Sequence, residues 1–218
     1  AYFSVVTPQR VGHYLTLHQA LETLSIVVSA LVFAVGWKAH SLNPQRNVLF
    51  LACGFLGVAI LDFSHMLSFA GMPDYITPNS VAKGINFWLP ARYLGALTLL
   101  GAVALHWREQ GDAADTGPGR FVMLALVLAA VVAIHAVVFW FPQWYPQTYG
   151  AQGLTGFKIV AEYGIVALYV ASLVLLLRWA RGRTAFDVAR LFAAVWVMAL
   201  SEVFFTLYVL ATDIFNLL

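Results

Sequence analysis

The chain has 218 residues, of which 61% are hydrophobic and only 10% charged, with a formal net charge of +2 at pH 7. Soluble domains carry about 45–50% apolar and about 25% charged residues, and one core of this size could not hide the excess apolar surface. An ordinary soluble enzyme, a disordered regulator, a nucleic-acid surface and a disulfide scaffold (Cys53 is the one cysteine) are therefore excluded, which leaves an integral membrane protein.

A membrane-spanning helix needs about 20 mostly apolar residues. Six such runs are predicted, at 17–37, 47–70, 87–107, 121–141, 157–179 and 189–212. None shows the period-two alternation of a barrel strand, so the expected fold is all-α, a polytopic helical bundle forming a single transmembrane domain over 1–218. Ala1–Val6 reads as the tail of an earlier span, and His13 precedes span one. Span one carries His18 and Glu22 and is followed by Lys38, His40 and Arg46. Span two carries Asp62 and His65, with Gly54 and Gly57 as small residues that permit close packing. Lys83 falls in the next loop. Span three carries Arg92 and is followed by His106, Arg108 and Arg120. Span four carries His135, expected to be packed or bonded between helices. It ends in the uncharged aromatic loop Phe139–Tyr149, whose rings suit the headgroup layer or a hydrophobic ligand. Span five carries Lys158 and Glu162 and is followed by Arg178, Arg181, Arg183 and Arg190. Span six carries Glu202 in a polar strip with Ser201, Thr206 and Tyr208.

Lysine and arginine concentrate in the loops after spans one, three and five, against Arg10 and Lys83 on the other side, so those loops are predicted to be cytoplasmic. Trp37, Trp107 and Trp179 serve there as interfacial anchors, and His40 and His106 are expected to be solvated. Both ends of the segment then face outward. A cytoplasmic readout would need a further span beyond Leu218, and a chain that begins at Ala1 is expected to be an excerpt.

The ionisable residues inside the spans carry the functional argument. A charge at the centre of a membrane helix costs about 2.5–3.5 kcal/mol on insertion scales, so each needs a partner or a purpose. His18, Glu22, Asp62, His65, Arg92, Lys158, Glu162 and Glu202 are all predicted toward the outer side, on five helices, and are expected to converge as a ligand-binding or sensing site. His18 and Glu22 are spaced i,i+4, Asp62 and His65 i,i+3, and Lys158 and Glu162 i,i+4, so each pair shares a helix face. Four acids then face two bases, and the deficit calls for protonated groups or a bound cation. Three readings remain open on these residues: an ion-pair network that locks the helices in register, a proton- or small-ligand-sensing site, and a metal site. For the last, His18, Glu22, Asp62 and His65 supply imidazoles and carboxylates suited to zinc, iron or manganese. Haem is disfavoured by the carboxylates around His65.

Several separated segments resemble one family. They are His18-Gln-Ala-Leu-Glu22-Thr-Leu-Ser25, Leu61-Asp-Phe-Ser-His-Met66 with Gly71-Met72, and Trp88 with Ala91-Arg-Tyr93. Further along come Gly153-Leu-Thr-Gly-Phe-Lys-Ile159 with Glu162-Tyr163, and Ser201-Glu-Val-Phe-Phe-Thr-Leu-Tyr208 with Asp213 and Asn216. Together they resemble the bacterial membrane-associated sensor domain of the third type, over nearly the whole chain. The resemblance implies an input module of the bacterial inner membrane, placed ahead of a histidine kinase, diguanylate cyclase or phosphodiesterase effector in the same chain. It implies no catalysis by this segment itself, contact with the lipid bilayer, no nucleic acid and, by analogy with such effectors, a homodimer. Two other functions compete. An intramembrane metal-dependent hydrolase could use the His/carboxylate cluster, but the chain has no HExxH and no G-x-S-x-G. A transporter or proton channel would need polar residues through the full depth, and the inner halves of the spans are almost purely apolar.

Overall fold

The computed structural model describes residues 14–104, 119–151, 153–179 and 185–205. Six long helices follow one another: α1 (Tyr14–Leu42), α2 (Arg46–Ser68), α3 (Val81–Ala104), α4 (Arg120–Trp140), α5 (Gly156–Trp179) and α6 (Ala185–Phe205). They match the six predicted spans. Among the described residues α1 to α5 are each long and apolar enough to cross a bilayer, and α6 has a shorter apolar stretch, Phe192–Ser201. His13, His106, Trp107, Thr206 and Tyr208 fall outside the described residues, as do the side chains of Trp179 and Glu202.

The helices form a membrane bundle with α2 and α3 at its centre. More than half of the apolar window of each is buried, whereas few residues in the windows of α1 and α4 are. Apolar side chains such as Leu24, Leu31 and Val35 of α1 and Val122, Leu126 and Val132 of α4 are exposed. In a bilayer that surface faces lipid, so it carries no hydrophobic penalty. α1 packs on α2, α4 on α2 and α3, α5 on α3, and α6 on α5. Leu61, Phe87, Ala91, Val131, Val138 and Phe139 fill the α2–α3–α4 junction. Trp88, Leu89, Ala96 and Leu99 of α3 pack with Ile165, Tyr169 and Leu173 of α5 and Val195 and Ala199 of α6. Close approach of α2 and α3 depends on glycine. A Cβ on Gly54 would lie 2.8 Å from Thr98 Cβ, and one on Gly57 would lie 2.6 Å from a Leu94 methyl.

Two corrections to the sequence reading concern polar residues near helix ends. Lys83 belongs to the first turn of α3, which begins at Val81, not 87, because the Ser80 hydroxyl accepts from the Lys83 backbone N–H at 3.1 Å. Its ammonium donates to the carbonyls of Tyr75 (2.6 Å) and Thr77 (2.8 Å) and to Asn79 Oδ1 (3.0 Å), beside the Phe139 ring. Those two carbonyls converge through a tight turn in which Thr77 N–H reaches Tyr75 O at 2.7 Å and Ile76 takes φ of 64°, a conformation costly for a β-branched side chain. His40, expected to be solvated, is buried, and its Nδ1 lies 2.9 Å from Gln45 O in the α1–α2 turn.

The last carbonyls of α2 lack partners within the helix and are met from outside it. Gln19 Nε2 of α1 donates to Met66 O at 3.2 Å, and Asn79 Nδ2 donates to Leu67 O at 2.8 Å. The α4–α5 connection folds as a 3-10 turn, Pro142–Trp144, and a hairpin of β1 (Tyr149–Gly150) and β2 (Gly153–Leu154). Buried Thr148 pins it to α3 by donating to Asn86 Oδ1 at 2.7 Å. Trp140, Phe141 and Trp144 project outward, with the last two rings stacked 4.6 Å apart. Tyr145 turns inward, where burial, with the Tyr93 phenol nearby, pushes its own phenol up to about 12.

Candidate functional site

The bundle end that carries the α2–α3 and α4–α5 connections gathers most of the expected polar residues. On α1, His18 and Glu22 sit one turn apart on the face toward α2, as their i,i+4 spacing requires. The His18 ring is buried against Phe69 (centroids 4.2 Å apart) and Tyr14 (5.7 Å), which fix its plane. On the last turn of α2, His65 lies edge-on to His18 at 5.5 Å. Its Nδ1 is 2.8 Å from the carbonyl of Gly84 on α3. A carbonyl only accepts, so this nitrogen carries the proton and Nε2 points away with a free lone pair in the neutral ring. That Nε2 is 3.7 Å from Glu22 Oε1, and His18 Nε2 is 3.9 Å from the same oxygen. One ligating atom from each of His18, Glu22 and His65 lies within 4.8 Å of the others. Among the described residues, His18 Nδ1 and Glu22 Oε2 are buried with no hydrogen-bond partner.

Asp62 lies outside that triad. Its fully buried carboxylate takes Arg92 Nη2 on both oxygens at 2.5 Å, a charge-assisted link from α2 to α3. Both groups remain within electrostatic reach of Glu22. On α5, Lys158 and Glu162 form a second buried ion pair, again at i,i+4. The Trp88 ring stands between the two pairs, 6.0 Å from Arg92 Cζ and 5.2 Å from Lys158 Nζ, and both cations use its π-face. Trp88 and Arg92 are themselves four residues apart on α3, a spacing that could have exposed the contact.

Seven of the eight expected site residues therefore have described side chains, and α1, α2, α3 and α5 supply them. Glu202 is on α6, its side chain outside the described residues. With the histidines neutral, Glu22, Asp62 and Glu162 face Arg92 and Lys158. Asp62 and Glu162 each have a cation at contact distance, while the ion-pair contacts of Glu22 among the described residues are the two imidazoles. His135 stands apart from this group. Its Nδ1 faces Val131 O at 2.8 Å and its Nε2 the Ser64 hydroxyl at 2.7 Å, so it bonds α4 to α2 as the sequence suggests. The Gly84 carbonyl, a backbone group, left no mark in the residue pattern.

A bundle of lipid-facing helices with ionisable side chains buried among them at one end defines a polytopic membrane protein with an intramembrane polar site. The model of a membrane-associated sensor domain family, MASE3, matches residues 10–218. The chain belongs to that family. No curated protein and no solved structure matches it.

Proposed function

We propose that this domain detects a small ligand, ion or proton through the His18, Glu22, Asp62, His65, Arg92, Lys158, Glu162 and Glu202 group and relays the event to a cytoplasmic effector of the same protein. The effector classes are histidine kinase, diguanylate cyclase and phosphodiesterase, acting as a homodimer at the bacterial inner membrane. The observation that carries the reading is Glu22, a carboxylate placed between two buried imidazoles while the neighbouring acids have their own cations. A carboxylate so placed changes its interactions when a proton or cation arrives, and that change differs between helix arrangements, which is what a population shift requires. The basic residues Lys38, Arg46, Arg120 and Arg178 lie at the opposite bundle end, and by the positive-inside rule this supports a site toward the outer leaflet.

The test uses the full-length protein in membranes, with effector output as the readout. Glu22→Gln is expected to shift basal output about fivefold or more, the lower range of allosteric coupling, at unchanged membrane abundance. Unchanged output with Glu22→Gln and with His65→Asn would overturn the proposal.

A further inference from the structure

We infer that His18 Nε2, Glu22 Oε1 and His65 Nε2 form a three-ligand site for one divalent first-row transition ion, with Asp62 excluded from the ligand set. The inference deepens the sensory reading and rests on it only for the consequence of binding, since the site itself stands on geometry.

Two imidazoles and one carboxylate are the donor set of zinc, iron(II) and manganese, and three protein ligands leave coordination positions open for water or a further ligand. The spacing is close to what an ion demands. With metal–ligand bonds of about 2.0–2.2 Å, tetrahedral geometry separates the ligand atoms by about 3.4 Å. The observed 3.7 and 3.9 Å to Glu22 Oε1 therefore need a contraction of a few tenths of an ångström. The third edge, between the two imidazoles, lies within 4.8 Å and has at most about 1.4 Å to close. The ring orientations agree with this. Ligating histidines commonly donate their other nitrogen to a carbonyl or carboxylate, and His65 does so to Gly84 O at 2.8 Å, which leaves Nε2 free to coordinate. His18, only 3% exposed, has no hydrogen bond to Nδ1 among the described residues, and stacking on Phe69 and Tyr14 aims its Nε2 at Glu22. Coordination would use the nitrogen that already faces Glu22, at 3.9 Å, and leaves Nδ1 as it is. Glu22, whose side chain is 18% exposed against 4% and 7% for the histidines, is the flank by which an ion can reach the site. Asp62 is taken out by Arg92, which occupies both of its oxygens. The same pair leaves Glu22 as the charge-balancing ligand for a cation.

The full-length protein, purified in detergent and incubated with Zn2+, Mn2+ or Fe2+ and then desalted, is expected to retain about one ion per chain by elemental analysis. Its Tm should rise with the concentration of the ion that binds, because only the folded state holds the site. Loading with Co2+ as a spectroscopic probe should give visible d–d bands. His18→Ala and His65→Ala should each weaken retention at least tenfold, and the paired change Asp62→Asn with Arg92→Gln should keep it. Wild type that holds less than about a tenth of an ion per chain and whose Tm does not respond to any of these ions overturns the inference without reference to any variant. Binding that survives loss of both histidines, or that is lost with the Asp62/Arg92 change in a folded protein, also overturns it. A metal-free wild type whose effector output still shifts with Glu22→Gln removes the ion and leaves the sensor. Metal-binding wild type with output indifferent to Glu22→Gln removes the sensor and leaves the ion.

Discussion

Asp62 of α2 and Arg92 of α3 join the two central helices through a buried, charge-assisted pair, with the guanidinium on both carboxylate oxygens. That Asp62 needs a partner follows from its place in an apolar span, and that Arg92 can clamp a carboxylate follows from its planar guanidinium. Which partner it takes does not follow. The i,i+3 spacing pointed Asp62 toward His65, yet the choice depends on how α2 and α3 rotate about their axes, and close packing at Gly54 and Gly57 sets that rotation. The same limit hid the carbonyl of Gly84. What was legible was the list of residues and the local Lys158–Glu162 pair at its i,i+4 spacing; what was not was the grouping of Glu22 with both histidines and the link of Asp62 to Arg92. With Asp62 fully buried, Asp62→Ala leaves a guanidinium without its carboxylate and should cost about 3–5 kcal/mol, measured by thermal or denaturant unfolding in detergent. A loss below about 1 kcal/mol would mean that the pair is as weak as an exposed one.

At the scale of the elements, composition and length located the six long helices among the described residues, because a bilayer accepts few backbone solutions. The ends moved where a charge found internal acceptors. α3 begins earlier than hydropathy suggests because Lys83 spends its charge on two loop carbonyls and an amide oxygen, not on water. Pro90, inside α3, also passes unmarked by hydropathy, although it removes the ladder bond to the carbonyl four residues before it. Contact between α2 and α3 gives the second test. Gly54→Ala drives a methyl into the stiff β-branched Thr98, and such overpacking should destabilise the protein by about 1–3 kcal/mol. Gly156→Ala, at the start of α5 with open space around it, should be neutral or slightly stabilising, and equal losses at the two sites would refute the packing argument.

For the molecule as a whole, the distribution of basic residues predicts its orientation, and the structure supplies positions at which to check it. Cys53 is buried in α2, so a Cys53→Ala background offers a clean start for single-cysteine labelling. A cysteine at exposed Gln147, beside the α4–α5 hairpin, should react with a membrane-impermeant maleimide in intact cells. One at exposed Ser41, at the other end of the bundle, should require a permeant reagent. The reverse pattern would invert the topology and place the polar group next to the cytoplasm.

The peripheral position of α1 has a mechanical consequence. This helix of 29 residues is about 43 Å long, against about 30 Å of hydrocarbon, and its principal neighbour is α2. Two of the three candidate ligands ride on it near one tip, while the third belongs to the buried centre. Whatever draws Glu22 toward His65 therefore pulls on one tip of a helix whose other tip is tied to α2 by the short turn that His40 and Gln45 close, so the pull tilts or slides α1 along its seam with α2.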